Sequence, residues 1–454
     1  QFQKNSKPTG YFDKSRLVGF FGNANMNWDN RYILDVTYRT DGSSRFGRKS
    51  RFAPFWSVGA AWNINQENFW TGSGYMKLRA SVGSTGSTNF SADQALTRFT
   101  YNSDNEYNGI YGAVVNAYGN PALKWQNVLK YNVGLDMSVW RNIITLNFDA
   151  YLERTENLLL NIDVAPSTGF TSYTENMGSL DNKGFEARLR LNLINDRQND
   201  LSWNVTLSAA HEENKIRKLS NAMKAMNQEA MDIENNKGGS EVFRMYEVGR
   251  SQTALMLVRS MGIDPATGRE IYINRKGQMT YNWNVNDMIV CGDSESKYRG
   301  NFGVNGEYKG IGLSVVFRYL GGGKMYNQTL VDRVENIDVY YNVDRRVLSG
   351  RWQEPGQHAD YKILGDYWDS ENEVWVNEKT RATSRFVQKR NELDFASLTA
   401  YYDFKREWIA KIGFERLRLT ALMNEVTKIS SIKIERGTTY PFSRTLTFQL
   451  SATF

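Results

Sequence analysis

The chain has 454 residues, a net charge of +7, seven prolines and a mean hydropathy of −0.56. A soluble chain of this length would form two to four domains, and no stretch approaches the roughly 18 to 20 apolar residues of a membrane-spanning helix. The single cysteine, Cys291, excludes an intrachain disulfide framework. His211 and His358 lack the spacing of a zinc site, and no Lys/Arg run indicates nucleic-acid binding.

Apolar and polar residues alternate in about thirteen segments. Alternation with a period of two places successive side chains on opposite faces of a strand, and a strand needs roughly 9 to 11 residues to cross a bilayer. In chain order the predicted strands run through residues 16–28, 32–41, 52–64, 75–86, 131–139, 144–152, 185–193, 203–209, 302–308, 313–319, 398–402, 417–423 and 446–454.

One face of each segment is apolar and the other is polar. In the last segment Leu446, Phe448 and Leu450 share one face, and the intervening Thr447 and Gln449 share the other. An apolar outer face and a wet lumen face are typical of a transmembrane β-barrel. The charged residues predicted to line the lumen are Asp35, Arg39, Lys77, Arg79, Asp136, Asp149, Glu186, Arg188, Arg190, Arg318, Arg416 and Arg418.

The lengths of the connections predict the orientation of the strands. Very short turns, such as Asp29-Asn30, Arg141-Asn142 and Lys309-Gly310, alternate with long connections, and bacterial barrels have short periplasmic turns and long extracellular loops. The predicted extracellular loops are residues 87–124, 158–180, 215–296 and 322–388, with residues 1–15 as the end of another loop and 16–454 as barrel. Aromatic residues near strand ends predict an interfacial girdle of Trp28, Trp56, Trp62, Trp125, Trp140, Trp203 and Trp408.

Two other classes of protein fit less well. The strands of a soluble β-sandwich also alternate between apolar and polar residues, but the chain of a sandwich turns every 8 to 12 residues. The strands predicted here are longer. No catalytic set is visible, because adjacent carboxylates such as Glu212 and Glu213 point to opposite faces of a strand. We therefore expect no enzyme, with an outer-membrane protease or lipase as the alternative from that class.

The long loops carry candidate binding residues. Aromatic rings there can stack on sugars, bury against a partner, or pack within the loops themselves. The weak candidates for substrate or lid contacts are Trp283, Trp352, Tyr361, Tyr367, Trp368 and Trp375. Asp264, Asp366 and Asp369 are weak candidates for calcium, although no loop has a dense Asp/Asn spacing. No other cofactor is expected.

A series of motifs carries a resemblance to a known family. Arg39-Thr40-Asp41-Gly42-Ser43-Ser44-Arg45-Phe46-Gly47 resembles the R-x-DGSS-R-F-G segment of SusC-like (SusC/RagA) TonB-dependent outer-membrane transporters of the Bacteroidetes. Residues 55–62, 78–83 and 262–268 are similar to further landmarks of that family. So are the segments that contain Asn120, Pro121 and Trp125, and Asn182, Gly184 and Glu186. The series is specific because its order and spacing run from one end of the chain to the other.

The resemblance implies an all-β fold: an antiparallel transmembrane barrel of which this chain is the C-terminal portion. Members of the family carry a TonB box, a plug domain and twenty-two barrel strands, so the plug and the N-terminal strands are expected to lie outside this chain. An odd number of strands would leave unpaired backbone in lipid, at a cost of several kcal/mol per group. We expect the remainder of the barrel and the plug to complete it.

The implied function is TonB-dependent import of a bulky nutrient, an oligosaccharide or an oligopeptide, across the outer membrane. The implied partners are a SusD-like surface lipoprotein acting as a lid, TonB through the missing N-terminal part, and the bilayer with its lipopolysaccharide. The alternative is a SusC-like barrel that serves as a scaffold in a larger outer-membrane assembly for protein insertion or secretion.

Overall fold

The computed structural model describes residues 14–46, 50–87, 97–117, 119–163, 172–176, 178–196, 198–237, 239–338, 340–365, 367–369, 374–376, 379–433 and 443–454. Within these residues no helix is both long and apolar enough to cross a membrane, which does not bear on crossing by strands. The predicted signature residue Gly47 and the predicted loop segment 1–13 lie outside the described residues.

A single antiparallel sheet of thirteen strands dominates the fold, which confirms the predicted number of strands. Every strand pairs with its neighbour in chain order, because each connection returns the chain beside the strand it has just left. The strands are β1 (Leu17–Trp28), β2 (Tyr32–Ser43), β3 (Phe52–Asn63), β4 (Gly74–Ser87), β5 (Gln126–Val139), β6 (Ile144–Glu156), β7 (Ser179–Asp196), β8 (Leu201–Lys218), β9 (Tyr298–Tyr308), β10 (Ile311–Tyr326), β11 (Val387–Asp403), β12 (Arg416–Ser430) and β13 (Thr445–Thr453).

Tight turns join the strands at one rim of the sheet, here called the short-turn rim. Asp29 and Asn30 both have φ 54°, and Lys309 and Gly310 have φ 47° and 85°. Two consecutive positive φ values match the right-handed twist of a hairpin, and Asn, Asp and Gly adopt them most readily. The short-turn rim also carries a short helix at Arg406–Ile409.

The opposite rim, the long-loop rim, carries further secondary structure. A hairpin pairs Arg98–Tyr107 with Ile110–Ala117, and an α-helix covers Asn221–Lys237. Four smaller sheets involve residues 159–163 with 172–176, residues 254–257 with 289–293, residues 259–263 with 270–273 and 279–280, and residues 367–369 with 374–376. The strands also run further toward this rim than the apolar alternation predicts, since β7 and β8 have 18 residues each.

Apolar side chains cover the outer face of the sheet and remain exposed there. Val133, Phe185 and Leu207 are all about half exposed, although they occupy central strands. Exposed Trp28, Trp140, Trp203 and Trp408 lie at or beside strand ends of the short-turn rim, as predicted for a girdle. Trp125 is a correction: it is only 7% exposed and packs within an aromatic cluster, because it precedes β5 on the long-loop side.

The sheet has two edges within the described residues, β1 and β13. Every residue of both strands is exposed, unlike the strands between them. Unpaired edge groups are a template for further strands.

Candidate functional site

The lumen face of the sheet is lined by charged side chains that neutralise one another across strands. The guanidinium of Arg79 on β4 lies 2.9 Å from Asp136 on β5 and 2.7 Å from Asp149 on β6. Asn147 donates to the same Asp136 at 2.8 Å. The three strands bring these residues together because opposite positions of adjacent strands lie on one face.

Similar pairs continue around the lumen face. They are Lys130 with Glu153, Arg299 with Glu212, Arg390 and Lys428 with Glu392, and Arg416 and Arg418 with Asp403. Most of these groups are partly solvent-exposed, so each pair adds little to stability. Together they form a hydrated wall that presents both signs of charge.

A cavity of about 740 Å³ opens on this wall between β6 and β12. It has the volume of a typical small-molecule site. Residues predicted to face the lumen line it, among them Asp149, Glu186, Arg188 and Arg318.

Above the long-loop rim, two long connections fold together into one unit, here called the loop module (the described residues of 240–296 and 327–386). Its core combines Leu255 and Leu257 from the first connection with Val331 and Phe386 from the second. Backbone bonds join the two as well, since the Ser384 amide donates to the Val258 carbonyl at 2.9 Å.

Arg385 forms a buried ion network at the centre of the loop module. Its guanidinium lies 2.9 Å from Glu270 and 2.5 Å from Glu335, whose side chains are 2% and 0% exposed. Thr383 and Thr380 donate hydroxyl bonds to these two carboxylates at 2.8 and 2.9 Å. Burial alone would lower the pKa of Arg385, but the two carboxylates outweigh burial and raise it.

Arg351 is a second buried cation in the loop module. Its guanidinium donates to the carbonyls of Val334, Glu335 and Lys362, and burial lowers its pKa. Since these contacts join residues 334–335 to residues 351–362, Arg351 and Arg385 tie four segments of the module to one another.

The predicted aromatic contacts of the loops lie mainly inside the module. Trp352 is 8% exposed, and its indole donates to the Pro265 carbonyl at 2.8 Å. Trp283 donates to the Ala382 carbonyl at 3.3 Å and packs below the guanidinium of Arg381. Tyr361 packs against the core, and burial raises its pKa. These placements match self-packing of the loops.

The side chains of Tyr367, Trp368 and Trp375 lie outside the described residues, as do Asp366 and the side chain of Asp369. Their roles in substrate, lid or calcium contacts therefore stay predictions. Among the residues that the structure describes, no group of three or more His, Cys, Asp or Glu residues is arranged to hold a metal ion.

Asp264 closes a turn. Its carboxylate accepts bonds from the Ala266 amide at 2.9 Å, the Thr267 hydroxyl at 2.8 Å and the Tyr281 hydroxyl at 2.6 Å. These donors, the Tyr281 hydroxyl foremost, hold the pKa of Asp264 below its ordinary value. Both carboxylate oxygens thus already have protein donors.

Three of the segments that resemble the family meet in one aromatic cluster. Phe46 stacks on Trp125 with ring centroids 4.5 Å apart, and Phe55 meets the same indole edge-on at 5.5 Å. The Trp125 indole donates to the Ser50 carbonyl at 3.0 Å. The cluster therefore fastens the connection before β5 to the β2–β3 hairpin.

The remaining signature residues before β3 shape the same rim. Arg39 pairs with Asp41, and the Ser44 hydroxyl accepts from the Arg16 amide at 2.9 Å. The Ser43 hydroxyl accepts from the Arg45 amide at 3.2 Å. Gly42 is needed for close approach, since a Cβ there would lie 2.4 Å from the Phe52 ring.

The signature segment of β7 and the Asn-Pro segment have local roles. The side chain of Asn120 accepts from the Ala122 amide at 3.0 Å around the exposed Pro121. A Cβ at Gly184 would lie 2.3 Å from the His211 carbonyl oxygen and 2.7 Å from the Tyr151 hydroxyl, so glycine permits the close approach of both. Asn182 and Glu186 lie on the same face of β7 as Gly184.

Sequence patterns did not reveal the Arg385 network. Its two carboxylates, Glu270 and Glu335, lie 115 and 50 positions from Arg385 in sequence, and each of the three looks like an ordinary charged loop residue. A faint signal exists in the second connection, where Thr380, Thr383 and Arg385 lie close together in an otherwise irregular segment.

Comparisons with known proteins agree with this architecture. The model of the family described as TonB dependent receptor-like, beta-barrel matches residues 3–239. TonB-dependent receptor P3 of Formosa agariphila is 25% identical over 434 residues, covering 91% of this chain and 41% of that protein. TonB-dependent receptor SusC of Bacteroides thetaiotaomicron is 33% identical over 221 residues, covering 46% of this chain and 22% of SusC.

A solved structure of the RagAB peptide transporter superposes with a TM-score of 0.77 at 20% identity, over 92% of this chain and 44% of that chain. At 20% identity, this similarity shows that the two chains share a fold. The chain spans less than half the length of the curated relatives it matches.

The family model covers just over half of the chain, and the sheet has the strand order and the apolar outer face of a barrel wall. This protein therefore belongs to the TonB dependent receptor-like beta-barrel family of the outer membrane and resembles the C-terminal barrel portion of SusC-like members.

Proposed function

We propose that this chain forms the wall and the extracellular loop module of a TonB-dependent importer for a bulky nutrient, an oligosaccharide or an oligopeptide. Membership in the receptor family carries the proposal, and the hydrated lumen wall with its cavity supports it. Import needs a polar path through an apolar membrane, which a lumen face lined by paired charges provides.

The proposal includes partners. Further strands would pair with β1 and β13, because exposed sheet edges are not stable in hydrocarbon. A plug within the completed barrel would couple to TonB, and a SusD-like lipoprotein would cover the loop module. The RagAB structure is described as a peptide transporter, which supports an oligopeptide as one of the two substrate classes.

Uptake measurements in cells test this proposal. Cells that express the complete receptor should accumulate a labelled oligopeptide or oligosaccharide from a defined mixture, and deletion of TonB should abolish the accumulation. The matched control is the same strain with the receptor gene deleted.

The scaffold alternative predicts a different result. Stable co-purification with protein-insertion or secretion machinery, with no TonB-dependent accumulation of any component of the mixture, would contradict import and support a scaffold role.

A further inference from the structure

We propose that the lumen cavity contains an anion-binding subsite built around Arg188 and Arg318, which takes a carboxylate-bearing oligomer. The inference rests on the proposed import function and specifies the class of its substrate. Five cationic side chains and four carboxylates line the cavity.

Some of these charged side chains have close ion-pair partners, and others do not. Asp149 is held by Arg79, Arg299 pairs with Glu212, and Glu392 lies 2.8 Å from Arg390 and 2.7 Å from Lys428. Arg188, in contrast, has no partner in the part of the chain that the structure describes. Arg318 has only a long contact of 3.9 Å to Asp394, which Lys428 also approaches at 3.6 Å.

The strand register aligns the guanidinium groups of Arg188 and Arg318, neither of which has a close ion-pair partner among the described residues. Arg188 on β7 lies opposite Ser208 on β8, Ser208 opposite Asn301 on β9, and Asn301 opposite Arg318 on β10. At a strand spacing of about 4.8 Å the row is on the order of 14 Å long. Two cations therefore flank a hydroxyl and an amide group in one line along the cavity wall.

This arrangement of two guanidinium groups should favour a carboxylate as the ligand. Guanidinium groups bind carboxylates through two parallel hydrogen bonds, and the Arg318 side chain is 57% exposed, so it is free to receive a ligand. Glu186 lies opposite Asp149, one row nearer the long-loop rim, and has no ion-pair partner among the described residues. Its negative charge repels an anionic group of the ligand at the row of Glu186. The carboxylate of the ligand should therefore lie at the row of Arg188 and Arg318.

Equilibrium binding to the purified complete receptor in detergent tests the subsite. The probes are hexaglutamate against hexaglutamine, and hexagalacturonate against a neutral galactose hexamer. We expect the acidic member of one pair to bind about tenfold more tightly than its neutral counterpart. The pair that shows the preference identifies the source of the carboxylate, a peptide or a sugar.

The Arg188→Gln/Arg318→Gln variant should abolish that preference, whereas Arg188→Lys/Arg318→Lys should retain part of it, since charge remains and bidentate geometry is lost. The matched control is Arg141→Gln/Arg406→Gln, which removes two cations from the short-turn rim and should leave the preference unchanged. Thermal unfolding of each variant reports whether it is folded. If the double Gln variant does not fold, the single Arg188→Gln variant is used in its place, and we expect it to show a reduced preference for the acidic probe.

Equal binding of acidic and neutral probes to the wild-type receptor would overturn the subsite, as would a preference that survives in the Gln variant. If wild type shows no preference and the Gln variant unfolds at a markedly lower temperature, the arginines hold another part of the receptor, which also overturns the subsite. Binding needs no TonB, so a receptor with the preference but without uptake contradicts the import function alone.

Discussion

At the scale of single residues, Arg385 is a charge held inside the loop module. It lies between two carboxylates that are almost completely buried. A buried ion pair adds little net stability when it is intact, but removal of one partner leaves a buried charge without compensation.

We therefore expect Arg385→Met to destabilise the loop module by about 3–5 kcal/mol. Hydrogen exchange of amides 380–387 should become faster, whereas strands β5 to β8 keep their protection. Arg345→Gln, at an exposed arginine of the same module, is the control and should leave the exchange unchanged. Unaltered protection in the Arg385→Met variant would show that the network is dispensable.

Asp264 gives a residue-scale prediction about pH. Its pKa in the folded protein is lower than its ordinary value of about 3.9, so its stabilising effect is complete above that value and is lost as pH falls through the lowered pKa. We expect wild type to unfold at a higher temperature than Asp264→Asn at neutral pH, with a difference that shrinks toward zero as pH falls through the lowered pKa of Asp264.

Thermal unfolding of both proteins between pH ~2 and pH ~7 measures this difference. Asp338→Asn, at another aspartate of the loops, controls for the general effect of acid. A difference that grows on acidification would mean that the pKa of Asp264 is raised and that the hydrogen bonds to its carboxylate are not the stabilising contacts.

At the scale of elements, the loop module couples two connections that are far apart in sequence. Its core includes residues of both, and the Thr383 side chain bonds Glu270 across 113 positions of sequence. Such contacts mean that the two connections should unfold together.

Phe386→Ala tests this coupling. The ring is 3% exposed and packs in the shared core, so its removal should cost about 3–5 kcal/mol. Hydrogen exchange should accelerate in residues 254–257 and 289–293 of the first connection as well as around residue 386. Leu348→Ala, at a side chain that is 77% exposed, is the control. Acceleration confined to the second connection would indicate two independent loops.

The sequence predicted elements of the wall better than those of the loops, for a physical reason. In Ile144–Glu156 each outward residue meets the same apolar surroundings, so the local pattern alone predicts the strand. In the loop module, by contrast, the partners of Trp352 and Arg385 lie 87 and 115 positions away, and no local period reports such contacts. For the same reason, the position of Trp125 near a strand end suggested a girdle residue, although the ring packs on Phe46.

The candidate site was predictable only in part. Period-two alternation assigned Arg188 and Arg318 to the lumen face correctly, because the face of a strand follows from residue parity. Which of the lumen charges stay unpaired depends on the register between strands, such as that of Asn301 with Arg318. Sequence parity contains no information about register.

At the scale of the whole molecule, the central claim is that one sheet separates an apolar exterior from a hydrated interior. Strand β6 is suitable for a test because it lies within the sheet between β5 and β7. Ile144, Leu146, Phe148 and Ala150 should face lipid, and Thr145, Asn147, Asp149 and Tyr151 should face the lumen.

The most direct test is spin labelling of single cysteines at each position from 144 to 151 in the complete receptor in lipid vesicles, with Cys291 replaced by Ser. Apolar oxygen should broaden the spectra of labels at the even-numbered positions, and a water-soluble nickel complex should broaden those at the odd-numbered positions, because the two reagents partition between lipid and water. We expect strict alternation of the two accessibilities along the strand. Equal accessibility to nickel on both faces, or a period other than two, would contradict it.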